Sequence, residues 1–395
     1  MHADRAAIAT ALAALDAGAL RRRRRVVDHY PQPGDGTRAI VGGRLLRVFC
    51  SNDYLGLVHH PELSAALQAA ARQFGVGSGA AHLITGHSKP HQQLEEELAA
   101  YTGRERALLF STGYMANLGV LGALAGRGES VLEDRLNHAS LIDGVRVCGA
   151  RLLRYAHGDA AAAARVLEAE PECTLIATDG LFSMDGDVAP LCALSTLASR
   201  HRAWLLVDDA HGLGVLGAQG RGSLELTGLD SCAAPLLIGT LGKALGCAGA
   251  FVAGDSELVE WILQRARTYI YTTALPPAMA AAASAALRLV QREGWRREKL
   301  QALVLRLRAG AAALGLPLMP SNSPIQPLLV GEAARALRLS DALFERGYWV
   351  SAIRPPTVPD GSARLRLTLS AAHTEADVDD LLLALQQVWG ADIAA

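Results

Sequence analysis

Aromatic residues are scarce, with six Phe, eight Tyr and five Trp among 395, yet 50 % of the chain is hydrophobic and 19 % charged. That balance excludes a disordered majority and leaves enough aliphatic side chain for a large core. An excess of either charge is also missing. With 38 Lys and Arg against 39 Asp and Glu, the formal net charge is -1, so no global field steers the chain to nucleic acid or an anionic membrane. A small molecule or another copy of the chain is the expected partner. The six cysteines (Cys50, Cys148, Cys173, Cys192, Cys232 and Cys247) form no CxxC pair and no metal-like spacing with histidine. They read as small core residues in a reducing compartment, and no metal site is expected. The Ala-rich apolar stretch around 278–287 ends at Arg288 and is too short to span a bilayer. The N-terminal segment carries Asp4 and Asp16 and places its arginines, Arg21 to Arg25, after the apolar residues. That order is the reverse of a secretory signal, so the cytoplasm is the expected location. Internal repeats and low-complexity linkers are absent as well.

What is present is a change of rhythm. From about residue 105 to 255, short aliphatic runs alternate with helical patterns: Ala107–Phe110, Leu175–Thr178, Leu205–Val207, Leu236–Gly239 and Ala250–Ala253 are the predicted strands. Such alternation predicts an α/β fold, a mostly parallel sheet flanked by helices. Later come a helix over about 296–314, a strand at 325–330, a helix at 334–346, strands at 348–353 and 364–370, and a last helix opening at Thr374 with Asp377 three residues on. These predict a smaller C-terminal α+β domain. The expected division is an N-terminal extension over 1–50, a large domain over 51–280 and the small domain over 281–395. Within the extension, Ile8, Leu12 and Leu15 recur at helical spacing. The arginine run that follows fits a solvated helix end.

In open α/β sheets, ligands bind beyond the carboxyl ends of the strands, so strand ends are where chemistry is sought. Lys243 closes Gly239-Thr240-Leu241-Gly242-Lys243 after a short strand. A small, apolar neighbourhood lowers a lysine's pKa and suits its amine to a Schiff base, although a surface lysine fits the segment alone. The spacing of a P-loop is absent. Trp204 to Gly212 is an apolar strand ending in Asp208-Asp209-Ala210-His211. A carboxylate there, Asp208 by position, suits a protonated pyridine nitrogen, and His211 suits the same ring's phenolic oxygen. A metal pair or a structural turn fits that segment equally well. In Leu108 to Asn117, a strand runs through Ser111-Thr112-Gly113-Tyr114 into a helix. Its N-terminal N–H groups offer a phosphate site to which Tyr114 could add a hydroxyl, or simply a capped turn. His138 could lie flat on an aromatic ring or be a structural histidine, and Ser183 is a small donor beyond another strand. Arg364, Arg366, Thr368 and Ser370 share one strand face, suited to gripping a carboxylate or to facing solvent on an edge strand.

Taken in order, Ser51-Asn52-Asp53-Tyr54-Leu55-Gly56-Leu57, Gly77-Ser78-Gly79, Asn137-His138-Ala139-Ser140, Phe182 to Asp187, Asp208 to Gly212 and Thr240 to Lys243 resemble the α-oxoamine synthase family of fold-type I pyridoxal-phosphate enzymes. The resemblance runs from about residue 19 to 388. Ile325-Gln326-Pro327, Ala352 to Pro359 and Arg364 to Leu369 resemble members that join L-alanine to a pimeloyl thioester; members acting on glycine generally differ there. The resemblance implies pyridoxal 5'-phosphate held on Lys243, with Asp208 at the pyridine nitrogen. It places His211 and Ser183 near the phenolic oxygen, His138 stacked on the ring, and Gly113, Tyr114 and Thr240 around the phosphate. It also implies Arg366 on the amino-acid carboxylate, Arg21 and Thr357 on the acyl substrate, and Asn52 as a further contact. The family is homodimeric with the active site at the interface, so Thr272 or Thr273 is expected to reach a neighbour's phosphate. The five-arginine run is longer than the family's, which leaves the register of Arg21 open. The alternatives are a relative using glycine or serine with a different acyl-CoA, an aminotransferase, and a non-catalytic partner subunit of the same fold.

Overall fold

The computed structural model describes residues 5–31 and 36–394. The chain divides into two compact units. Unit 1 comprises residues 1–56, 184–186 and 298–395, and unit 2 comprises residues 57–183 and 187–297.

Unit 1 opens with helix α1 (Arg5–Ala17) and the hairpin β1 (Arg38–Val41) and β2 (Arg44–Val48). Unit 2 follows with α2 (Pro61–Phe74), a short π-helical turn (His82–Gly86), α3 (Lys89–Thr102), β3 (Arg106–Phe110), α4 (Gly113–Leu124), β4 (Ser130–Asp134), α5 (Ala139–Cys148) and β5 (Arg151–Tyr155). It continues with α6 (Ala160–Ala169), β6 (Cys173–Asp179), α7 (Leu191–His201), β7 (Trp204–Asp208), α8 (Ser223–Thr227), β8 (Leu236–Thr240), β9 (Ala250–Gly254), α9 (Ser256–Arg265), α10 (Arg267–Ile270) and α11 (Pro277–Arg292). After α12 (Trp295–Ala313), unit 1 resumes with β10 (Ile325–Gly331), α13 (Ala333–Glu345), β11 (Tyr348–Trp349), β12 (Ser351–Ile353), β13 (Ala363–Thr368) and α14 (Glu375–Ala394).

The core of unit 2 is a seven-stranded sheet in the order β3-β9-β8-β7-β6-β4-β5. Its strands run parallel except β9, which is antiparallel to both neighbours. Successive side chains of a strand point to opposite faces, so an aliphatic run covered on both sides feeds two cores. Leu175 and Ala177 of β6 and Leu206 of β7 join one core with Val120 and Leu121 of α4. Ile176, Leu205 and Val207 join the other with Leu167 of α6 and Leu194 of α7. All five strands expected in this region form, within a residue or two of their expected ends. β4 and β5 were not foreseen, for a physical reason. β4 carries two acids, and burial pushes the Glu133 carboxyl up to about 8, while β5 is a sheet edge that exposes Arg151 and Arg154.

Unit 1 holds two small sheets, β1-β2-β11 and β10-β13-β12. The expected strand over 348–353 is two strands: β11 pairs with β2 and β12 pairs with β13, the chain changing sheets at Val350. β13 is central rather than an edge, and every one of its residues is buried, so the solvated-face reading of Arg364 and Arg366 does not hold. Thr374 and Asp377 bond reciprocally, Asp377 N–H to Thr374 Oγ1 at 3.1 Å and Thr374 N–H to Asp377 Oδ2 at 2.9 Å, the expected start of α14. The expected boundary at residue 281 falls inside α11, whose buried alanines and leucines hold it in unit 2 as far as Arg297. Likewise residues 1–50 are no separate body, because the β1-β2 hairpin pairs with β11 of unit 1. No described helix is long and apolar enough to cross a membrane.

Candidate active site

In unit 2 the ends of β6, β7 and β8 lie side by side, with Asp179 in register with Asp208, and Asp208 with Ile238 two residues before Thr240. The parallel register therefore delivers two aspartates and the turn to Lys243 to one crevice. Asp208 Oδ2 accepts a hydrogen bond from Asn117 Nδ2 at 2.6 Å, and its Oδ1 accepts from the Ala210 N–H at 3.0 Å. Asn117 stands one turn into α4 and also donates to Ser140 Oγ at 2.8 Å. Ser140 Oγ in turn lies 2.7 Å from His138 Nδ1, and the His138 N–H donates to Asp179 Oδ2 at 2.6 Å. A continuous hydrogen-bonded chain thus joins Asp208, Asn117, Ser140, His138 and Asp179.

Electrostatics place Lys243 in the same cluster. Burial raises the Asp179 pKa well above its ordinary value; the Asp208 charge raises it further, while the bond from His138 and the Lys243 ammonium oppose. For His138, partial loss of water lowers the pKa, Asp208 opposes, and Lys243 lowers it further. An amine, an acid and an imidazole from three distant stretches of chain feel one another's charge. Lys243, half-buried, sits in a turn closed by Leu241 N–H to Gly249 O at 2.9 Å and Gly246 N–H to Lys243 O at 2.9 Å. Gly246 has φ +66°, and a Cβ there would lie 2.7 Å from the Val58 nitrogen, so only glycine closes this turn. Thr240 Oγ1 donates to Gly249 O at 3.1 Å and accepts the Gly242 N–H at 3.2 Å. His211 is buried three residues beyond the end of β7, and Ser183 is half-buried in the turn after β6.

Adjacent Asp209 has a different fate. Its carboxylate accepts the Ser223 N–H at 2.6 Å, and Gly180, Gly212 and Gly222 crowd it so closely that a Cβ on any of them would lie within 2.6 Å of its oxygens. Burial pushes its pKa up to about 7. It is a structural post of the turn, and the acid facing the cluster is Asp208.

At the start of α4, Thr112 caps the helix by accepting the Met115 N–H at 3.1 Å. Helix geometry gives the N–H groups of Gly113 and Tyr114 no intrahelical acceptor, and a Cβ on Gly113 would meet nothing within 4 Å. An open, positively polarised helix end suits a phosphate. The Tyr114 hydroxyl is directed to Asp143 instead, so from this residue the structure offers the backbone rather than the expected hydroxyl. Amine, buried carboxylate, partly open imidazole and anion-binding helix end are together the donor set a phosphorylated pyridine aldehyde requires.

Sequence reasoning missed Asn117, Asp179, Ser140 and His157. His157 bridges Asp134 at 2.9 Å and Asp187 at 3.0 Å and packs edge-on against Phe182. Burial would lower its pKa, but the hydrogen bonds and charges of the two aspartates raise it to about 10. Asp134 also accepts the Leu136 N–H, while Phe182 N–H bonds Asp187 O. One imidazolium therefore fastens both the turn that carries His138 and the turn that carries Ser183. A signal that was available is that the chain has just three lysines, Lys89, Lys243 and Lys299, against 38 Lys and Arg in all, and only Lys243 stands at a strand end.

Unit 1 has its own polar centres. Arg366 is buried, with Nη1 and Nη2 each 3.3 Å from Asn52 Oδ1 and Nη2 3.3 Å from the Tyr54 hydroxyl. Arg364 on the same strand is committed to Asp185 at 2.6 Å. A cavity of about 660 Å³ is lined by Arg21, Arg23, Arg25 and Arg354 with Asp16 and Asp341. Arg21 and Arg23 pair with Asp16, and it is Arg22 that donates to Thr357 Oγ1, at 3.1 Å. The register left open in the sequence thus falls on Arg22 for contact with Thr357, with Arg21 in the cavity wall.

The family model described as aminotransferase class I and II matches residues 47–385. The 8-amino-7-oxononanoate synthase of Thioalkalivibrio sulfidiphilus is 60 % identical over 370 residues, covering 93 % of each chain. The chain belongs to the 8-amino-7-oxononanoate synthase family. A serine palmitoyltransferase solved with its pyridoxal-phosphate internal aldimine matches with TM-score 0.92 at 31 % identity, over 99 % of this chain and 98 % of that one. The 8-amino-7-oxononanoate synthase from Francisella tularensis matches with TM-score 0.77 at 31 % identity, over 88 % of this chain and 99 % of that one. The expected fold-type I architecture is borne out, and pyridoxal phosphate is the cofactor of this enzyme family.

Proposed function

We propose that the chain condenses L-alanine with a pimeloyl thioester, releasing carbon dioxide and the thiol and forming 8-amino-7-oxononanoate, a step of biotin biosynthesis. The observation that carries this reading is the shared electrostatic cluster of Lys243, Asp208 and His138 in a chain 60 % identical to a synthase of that name. Pyridoxal phosphate, when bound, supplies an electron sink for the charge left on the alanine α-carbon. Asp208, fixed by Asn117 and the Ala210 N–H, would hold the ring nitrogen protonated. His138 would stack against the ring, His211 and Ser183 would serve the phenolic oxygen, and the α4 N-terminus at Gly113 and Tyr114 would hold the phosphate with Thr240. Arg366 and Asn52 hold the alanine carboxylate, and Arg21, Arg22 and Thr357 meet the acyl substrate. Lys243 would hold the group, and with alanine in its place the freed amine is the base that would take the α-proton. The α-carbon then forms a bond to the thioester carbonyl carbon as the thiolate leaves. The β-keto acid so formed loses carbon dioxide, and Lys243 returns a proton before product departs.

The working unit of this reading is a homodimer in the cytoplasm, with Thr272 or Thr273 completing the neighbour's phosphate site. Exposed apolar side chains at Val76, Ile84 and Tyr271 of unit 2, 88, 75 and 71 % accessible, support a covered face there. Six cysteines, none of them joined in a disulfide, fit a reducing compartment. The test is Lys243→Ala, which should abolish both the visible band of the bound cofactor and turnover; near-normal turnover would contradict the assignment. Release of thiol from a matrix of alanine, glycine and serine against acyl-CoA chain lengths separates this reaction from its relatives. Alanine with pimeloyl-CoA should be the best pair.

A further inference from the structure

Three histidines gather where the π-helical turn enters α3, none of them a member of the strand-end cluster. His82 and His91 are buried and His87 is half-buried. One ring nitrogen from each lies within 4.8 Å of the other two. Their ring centroids are 5.2 Å (His82 to His87), 5.1 Å (His82 to His91) and 5.5 Å (His87 to His91) apart. A Zn²⁺ ion held tetrahedrally by imidazole nitrogens at about 2.0–2.1 Å places the ring centroids about 5.2 Å apart. The spacing of the three rings is therefore already that of a three-histidine site.

The hydrogen bonds point the same way. Nδ1 of His82 and Nδ1 of His87 face each other at 2.9 Å, so a proton or a cation must lie between two lone-pair atoms. His87 Nε2 is directed to Gln92 Oε1 at 3.3 Å and His91 Nε2 to the Leu275 carbonyl at 2.5 Å. This is the outward-facing bond to oxygen that fixes the tautomer and orientation of a metal-bound imidazole. His82 is stacked on Tyr269 with centroids 4.9 Å apart, which locks its ring, and its Nε2 is buried without a hydrogen-bond partner among the described residues. Burial, reinforced by the neighbouring imidazoles, drops the His82 pKa to about 3, and burial also lowers that of His91. The His82 ring is thereby held neutral, the form that binds metal. The contact to be exchanged is at His91 Nδ1, which the Ser88 N–H and hydroxyl approach at 3.0 Å each.

We propose that His82, His87 and His91 form a binding site for one divalent transition-metal ion of the Zn²⁺ class, separate from the cofactor crevice, with a fourth position open to water. Its consequence is mechanical. The segment 78–82 is already tied to 273–275 by Ala274 N–H to Ala80 O, Ser78 Oγ to Leu275 O and the Ala81–Thr273 bridge, and a metal on His91 adds a rigid clip through Leu275. The other cluster of this kind among the described residues, His60, Glu62 and Glu293, is solvated and already neutralised by Arg292 and Arg296. It serves as the control.

The test uses the chelator-treated, cofactor-saturated full-length protein titrated with Co²⁺ as the probe. One Co²⁺ per chain with visible d–d bands of tetrahedral intensity, displaced by Zn²⁺, is expected. His87→Ala should weaken binding more than about 100-fold, beyond the loss that a change outside the coordinating shell causes. Glu62→Gln should leave binding unchanged. His82→Gln is the second variant should His87→Ala misfold by circular dichroism. A wild-type protein that binds no Co²⁺ with such bands overturns the proposal. So does wild-type Co²⁺ affinity in either folded variant.

Discussion

The crevice at the ends of β6, β7 and β8 and the arginine-lined cavity of unit 1 both concentrate charge, by opposite means. In the crevice, Asp208, Asp179 and Asn117 are buried, and each carboxylate is held by a named donor at 2.6 Å. In the cavity, Arg23 is exposed, and the pairs of Arg21 and Arg23 with Asp16 are solvated on both sides. Buried charge keeps its field and its geometry, whereas an exposed ion pair is screened and contributes about 0–1 kcal/mol. In the proposed function, the crevice sets the chemistry and the cavity steers an anionic substrate.

Substitutions should follow that difference. Asp208→Ala, which removes the acid proposed for the ring nitrogen, should lower kcat by at least about 100-fold, the scale of an essential proton-holding group. Steady-state kinetics at saturating cofactor measure it, and a loss under threefold would move the decisive acid elsewhere. Asn117→Ala breaks a bond to a buried carboxylate worth about 1.5–3 kcal/mol, so kcat should fall about 10- to 100-fold while the fold survives by circular dichroism. An unchanged kcat would detach Asn117 from Asp208 function.

His157 sharpens the comparison through pH. Its pKa is 6.5 in the unfolded chain and about 10 in place, so the folded state holds the proton more tightly. The stabilisation is complete below about pH 6.5, declines as pH rises and is gone above about pH 10. Between pH 7 and 10 the wild-type Tm should therefore fall more steeply than that of His157→Gln; parallel curves would deny the clamp. Arg22→Ala, which removes the exposed contact to Thr357 beside the cavity wall, should have the smallest effect, raising KM for the acyl thioester less than about fivefold with kcat unchanged. A collapse of kcat there would erase the distinction between the two regions.

The legible parts of the molecule are those where one local rule decides the outcome. Val207-Asp208 and Gly239 to Lys243 announce strand ends because an apolar run meets a polar turn, and Thr374 with Asp377 announces a helix start. β4 stayed hidden because Glu133 and Asp134 interrupt the apolar run, although both are buried. Asp179 and Asn117 stayed hidden because their roles depend on partners 29 and 91 positions away: Asp208 for each. The spacing of His82, His87 and His91 resembles no familiar ligand pattern, since a π-helical turn sets it. Arg364 and Arg366 read alike in sequence, and only the pairing of β13 shows that Asp185 claims one and Asn52 meets the other.

The account rests on Lys243 as the residue that carries the cofactor. With three lysines in the chain, borohydride reduction of the cofactor-loaded protein followed by peptide mass mapping decides it directly. The label should fall on the peptide that contains Lys243. A label on Lys89 or Lys299, with Lys243 unmodified, would contradict the account.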